Sequence, residues 1–146
     1  MATEITDYLE KRVNGQIDWH SNKSQVNQKK FKRIRIIQIT CAAILPFIAG
    51  LNFSIEYTWY HKVLLGTLGV VIALSEGILS LYNYQELWIQ YRITSESLER
   101  EKYLYINKIG LYSNENNAFE YLVTMIENIL SGQNDNWLKT KTNKSN

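Results

Sequence analysis

The chain has 146 residues, a formal net charge of +2, one proline, seven glycines and a single cysteine. That length suits one domain, so few Pro and Gly disfavour a turn-rich β architecture, and a lone Cys41 excludes an intrachain disulfide. Mean hydropathy is −0.27, a soluble-looking value that averages an apolar middle with two polar arms.

In chain order, Thr3 or Asp7 is placed to cap a first helix, because a short polar side chain satisfies free backbone N–H groups there. From that point Ile5, Leu9, Val13, Ile17, His20, Ser24, Asn27, Phe31 and Ile34 recur at steps of three and four. This is one face of an amphipathic helix, running without a breaker into the first apolar stretch. Residues 1–35 hold eight Lys/Arg and four Asp/Glu, a net of +4. From Lys23 to Arg35 there are six basic residues and no acid.

Two apolar stretches follow, Ile36–Ile55 and Val63–Tyr82. Each is about twenty residues long, enough at roughly 1.5 Å per helical residue to cross a hydrocarbon core of roughly 30 Å. The connector Phe53–Lys62 carries Tyr57, Trp59 and Tyr60, rings suited to a headgroup-level belt. The sequence therefore predicts a two-pass transmembrane hairpin. The first stretch begins after a long polar segment with no small-residue cleavage pattern, so it reads as a retained anchor. The positive-inside bias sets both termini in the cytoplasm and sends the short loop across. Lys29, Lys30, Lys32, Arg33 and Arg35 are expected to meet anionic lipid headgroups, and no nucleic acid is expected. Pro46, mid-span, should kink the first span and serve as a hinge.

Glu76 is the one ionisable residue in the second stretch, and a buried charge in a membrane helix is a functional candidate by default. It shares a helical face with Gly69, Ala73, Ser80 and Asn83. In an oligomer this stripe would line a pore, with Glu76 as a cation-favouring ring. The alternative is structural: small residues allow close helix approach, and Glu76 would bond Thr40 or Gln38 while protonated.

Beyond the second stretch, Leu87, Tyr91, Thr94, Leu98, Glu101, Tyr105 and Ile109 continue the helical spacing, with Gly110 as the C-terminal cap. Antiparallel pairing about the loop sets Trp88 near Lys29 and Trp19 near Leu98, so the two arms form a cytoplasmic helical stalk. After a turn at Asn114–Asn117, a last helix over about Ala118–Leu130 folds back on that stalk and ends at Gly132. The domain then spans 1–137, and 138–146 is a disordered tail. Trp19, Asn27, Trp88, Tyr91, Arg92 and Glu101 are the candidate interface residues of the stalk and of an oligomer. Arg92 can alternatively pair with Glu96 one turn on.

His20 and His61 lack ligand spacing, and there is no phosphate-cradling glycine loop. Glu96, Glu99 and Glu101 read as a solvated face. No catalytic residue, metal or cofactor is expected, and the chain is not expected to be an enzyme.

The stretch ELWIQYRITSESLEREKYLYINKIGLYS, from Glu86, resembles the signature of a bacterial two-transmembrane family, the SLATT domains, in a branch catalogued as an uncharacterised domain. The matching positions are Trp88, Tyr91, Arg92, Thr94, Glu96, Leu98, Glu101, Gly110 and Tyr112. Trp19, Asn27, Pro46, Glu127 and Trp137 also agree. The resemblance implies a membrane effector of bacterial conflict with phage. Because a lone pair of spans cannot enclose a polar path, a pore there requires a homo-oligomer in the inner membrane. The effector would form pores when a nucleotide-signalling or sensor partner triggers it, or when a nucleotide binds the oligomer itself. The alternatives are a membrane-anchored scaffold or signalling adaptor without a pore, and a soluble helical bundle.

Overall fold

A computed structural model describes residues 2–50, 58–114 and 117–142, with side chains from 3–50, 59–114 and 117–132. All regular structure among them is helical: α1 (Ala2–Asp7), a π-helical stretch (Tyr8–Asn14), α2 (Gly15–Ala49), α3 (Thr58–Tyr82), α4 (Tyr84–Ile106), a 3₁₀ turn (Gly110–Tyr112) and α5 (Ala118–Thr142). The connector residues before Thr58, including Tyr57, and the last four residues of the tail lie outside the described residues.

Several boundaries differ from those the sequence suggests. Asp7 has helical dihedrals and makes no side-chain cap bond. The chain is already helical from Ala2, so there are no free N–H groups at Asp7 to cap. Downstream, α2 stops at Ala49 and α3 starts at Thr58, which puts Trp59, Tyr60, His61 and Lys62 on helix instead of in a loop. Pro46 lies in the last turn of α2.

Helices α3 and α4 are not continuous. Asn83 has φ 46°, a left-handed conformation that costs ordinary residues and that Asn tolerates better than most. Hydrogen bonds persist on both sides, Asn83 N to Leu79 O and Leu87 N to Asn83 O, each 3.1 Å. The joint therefore interrupts the helix without orphaning these groups. At the other end of α4 the cap is Lys108 (φ 52°), two residues before the expected Gly110. Lys108 N bonds Tyr105 O and Ile109 N bonds Leu104 O, the paired pattern that closes a helix C-terminus around a left-handed residue. Gly110, also left-handed at φ 66°, opens the 3₁₀ turn.

The chain divides into two compact units, one of Met1–Gln25 with Trp88–Asn146, the other of Val26–Leu87. In the first unit Val13, Ile17, Leu98, Tyr112, Ala118, Leu122 and Ile126 form a buried core. The last helix thus packs on the N-terminal helix and α4, as its apolar face requires. It runs past Gly132 to Thr142. Ser24 Oγ donates to Trp88 O (2.9 Å) and Ser95 Oγ to Ile17 O (3.3 Å), fixing the pairing of the two arms. Trp88 accordingly pairs with Ser24, and Trp19 meets Tyr91 edge-on at 5.6 Å. The register moves because α2 ends and α3 begins earlier than the apolar runs imply.

The second unit holds the C-terminal part of α2 and all of α3. Phe31, Ile34, Gln38, Cys41, Leu45 and Ile48 are half-buried at steps of three and four, and so are Leu65, Leu68 and Ile72 on α3 above buried Ser75 and Leu79. These are facing stripes. Outside them the apolar side chains point away from the protein: Phe47 is 71% exposed, Leu74 62% and Leu81 80%.

Candidate functional site

The candidate site is where α2 and α3 bring their charges together. Three and four residues apart fall on one helical face, and Arg35 and Gln38 use that spacing to converge on Glu76. Arg35 Nη1 donates to Glu76 Oε2 at 3.1 Å and to Gln38 Oε1 at 2.8 Å. Gln38 Nε2 donates to the same Glu76 oxygen at 2.7 Å. The three side chains close a ring in which the amide is fixed from both sides. Of the two expected partners Gln38 is used, while Thr40 Oγ1 donates to the Ile36 carbonyl instead. Arg35, which the sequence assigns to lipid headgroups, is the unforeseen member. The ion pair is open to its surroundings, with the side chains of Arg35 and Glu76 48% and 59% exposed.

Gly69, Ala73 and Ser80 are exposed on the same helix as Glu76, and a side chain built at Gly69 would meet nothing. Asn83 is the exception to the stripe: it sits in the joint after α3, half-buried, with its amide donating to Glu86 at 3.3 Å. Lys29, Lys30, Lys32, Arg33 and Arg35 are all exposed on α2. Lys30 stands 5.7 Å from the centroid of the Tyr84 ring, which stacks on Tyr82. At the other end of α3, Trp59 packs edge-on to Tyr60, and His61 Nε2 lies 2.8 Å from the Ile48 carbonyl.

In the unit of Met1–Gln25 with Trp88–Asn146, the expected interface residues fall into separate groups. Trp19, His20 and Tyr91 form an aromatic cluster, with Lys23 5.6 Å above the indole. Trp19 is 48% exposed. Asn27, in the other unit, is half-buried. Arg92 Nε donates to Glu96 Oε1 at 2.7 Å, the within-helix pairing, with both side chains exposed. Glu101 accepts from the hydroxyl of buried Tyr112. Burial, and then this bond to a carboxylate, push the Tyr112 phenol well above its ordinary range. The Trp88 indole N–H and the Tyr8 hydroxyl are buried without a hydrogen-bond partner among the described residues.

Sequence spacing does not signal the long-range polar contacts of this unit. Arg12 grips Glu127 through both carboxylate oxygens, 3.0 and 3.1 Å from Nη2, with Nε 3.2 Å from the first. The pair joins the π-helical stretch to α5. Nearby, the Tyr8 ring meets Phe119 edge-on at 5.6 Å. Its hydroxyl is raised in pKa by burial first and by Glu127 second, with Arg12 opposing. Lys102 Nζ donates to Asn14 Oδ1 at 2.7 Å. These partners are over eighty residues apart in sequence, and no local periodicity signals them.

A cleft of about 260 Å³ lies between α4 and α5, lined by Gln90, Ile93, Thr94, Ser97, Asn128, Ile129 and Gly132. It is smaller than the roughly 300–1,000 Å³ of most small-molecule pockets. Among the described residues no group of His, Cys, Asp or Glu is arranged to hold a metal.

A family model described as a protein of unknown function (DUF4231) matches residues 15–120. No curated protein and no solved structure matches the chain.

Proposed function

The chain belongs to the DUF4231 family, and from that premise we propose an oligomeric, ion-conducting protein of the bacterial inner membrane. In this reading α2 and α3 cross the bilayer and both termini are cytoplasmic. The observation that carries it is the exposure of α3: the chain has a helix long and apolar enough to cross a membrane, with 6% of its most apolar window buried. A helix that apolar in a water-soluble bundle would be mostly buried, because its transfer from water is what drives folding. Aromatic pairs at both ends of α3, Trp59 with Tyr60 and Tyr82 with Tyr84, suit the two interfaces of a bilayer. Their separation along the helix is roughly 35 Å at 1.5 Å per residue. Exposed Lys29, Lys30, Lys32 and Arg33 suit the anionic cytoplasmic leaflet.

A single hairpin cannot enclose a polar path, so conduction needs several copies around an axis. Gly69, Ala73, Glu76 and Ser80 would face it, and Pro46 would supply a hinge. The resemblance to the SLATT domains supports the biological setting: an effector of bacterial conflict with phage, triggered by a nucleotide-signalling or sensor partner. A membrane-anchored adaptor is the second reading, and the cleft between α4 and α5 is the observation that favours it.

Fractionation, topology and flux test the proposal. The protein should partition with membranes and require detergent. In a Cys41→Ala background, cysteines at Ser21 and Ser131 should label from the cytoplasm and one at Thr58 from outside. Purified protein in liposomes should pass ions. Recovery as a monodisperse species without detergent would refute the membrane reading; tight vesicles carrying inserted protein, even with a candidate partner added, would leave the adaptor.

A further inference from the structure

We propose that Arg35 and Gln38 set the ion selectivity of the path that Glu76 faces, by cancelling the Glu76 charge within each protomer. The inference rests on the conducting reading above. A bare ring of carboxylates draws cations because each subunit contributes a net negative charge. Here each carboxylate carries its own guanidinium at 3.1 Å, and Gln38 holds the two in register from 2.8 and 2.7 Å. What an ion meets is a ring of short dipoles, whose field falls off faster with distance than that of a ring of charges.

On the span side of the pair no other charge follows; the nearest, Arg33 and Lys32, precede Arg35 towards the cytoplasmic end. Between Lys62 and Glu86 on α3 and its continuation, Glu76 is the only Asp, Glu, Lys or Arg, and on α2 none follows Arg35 before Ala49. Both partners are about half exposed, so the pair stands open on the surface of the unit. The path at this level is therefore close to charge-neutral. This differs from the cation preference expected of Glu76 alone, and it reverses the sign expected for removing it: Glu76→Gln uncovers Arg35 and attracts anions.

The test is the reversal potential of reconstituted liposomes under a potassium chloride gradient, with oligomer mass in detergent as a check on assembly. Wild type should discriminate weakly. Glu76→Gln should shift permeability several-fold towards chloride, and Arg35→Gln several-fold towards potassium. The double variant should return to weak discrimination. Gln38→Glu, which keeps the ion pair and adds a second carboxylate beside Arg35, should also shift towards potassium. If Arg35→Gln does not assemble, opposite shifts in Glu76→Gln and Gln38→Glu still decide for the proposal. A cation-selective wild type that merely loses its preference in Glu76→Gln would overturn it, as would equal selectivity in all conducting variants. Absence of flux from wild type is a different failure: it removes the conducting reading, and this inference with it.

Discussion

Replacing Leu98 by alanine tests the packing that holds α5 in place. Leu98 is 0% exposed and shares its core with Val13, Ile17, Leu122 and Ile126, which come from the N-terminal helix and α5. The substitution removes three buried carbons, about 2–2.5 kcal/mol at roughly 0.8 kcal/mol per methylene. Walls supplied by three separate helices cannot all collapse into the space, so a cavity term brings the cost to about 3 kcal/mol. For a unit of this size that lowers Tm by roughly 12–24 °C. Thermal unfolding in detergent, followed by circular dichroism with protease sensitivity of α5 in parallel, reads the change. Leu81→Ala is the internal comparison: Leu81 is 80% exposed, and its loss should alter this unfolding by under about 0.5 kcal/mol. A cost below about 1 kcal/mol at Leu98, or equal effects at both leucines, would refute the assignment of the core to this unit.

Three further outcomes follow from local geometry. Tyr112 is held neutral in the fold, because burial and the bond to Glu101 raise its phenol above the ordinary tyrosine value. Its stabilisation is thus complete below about pH 10 and is lost as pH rises further, because the unfolded phenol ionises first. Tyr112→Phe should flatten that alkaline decline, read by tyrosinate absorbance and thermal melts, and an unchanged decline would contradict it. At Asn83, φ 46° makes Asn83→Ala cost about 1 kcal/mol while Asn83→Gly costs less; equal stability of the two variants would show that the joint straightens. Arg12 and Glu127 are 46% and 48% exposed, so a double-mutant cycle should give a coupling of no more than about 1 kcal/mol despite the two-oxygen grip. A coupling of several kcal/mol would mean the pair is desolvated in the assembled protein.

The parts of this fold that are readable in the sequence are those set by local periodicity. The stripe of Val13, Ile17, His20 and Ser24 repeats at helical spacing, and all four are buried. Phe119, Leu122 and Ile126 likewise foretell the face by which α5 packs. Register is different, because it depends on where a turn is cut. The apolar runs overlap the helix ends, and nothing in Phe53–Lys62 says that helix resumes at Thr58. The joint at Asn83 escaped for a related reason. A single left-handed residue leaves the apolar spacing on both sides almost undisturbed, so periodicity does not mark it. At the candidate site, the residue type of Glu76 in an apolar helix drew attention to it, and its Gln38 partner was legible from the pairing of the two spans. Arg35 was hidden by its membership in a basic run, where composition suggests one collective role.

The π-helical stretch at Tyr8–Asn14 has a consequence for how this protein tolerates changes of length. A π turn carries about one residue more than the α turn it replaces, so the helix there holds a spare amino acid. Deleting a single residue within 8–14 lets the backbone revert to α geometry while everything from Gly15 onward keeps its phase. The residues of α1 upstream keep their phase too, because only the extra residue is taken out. A one-residue deletion between Gln38 and Cys41 in α2 has no such outlet and would put Arg35 and Gln38 out of phase with Cys41, Leu45 and Ile48. Length variation in the helical N-terminal half is therefore expected to concentrate in these seven positions.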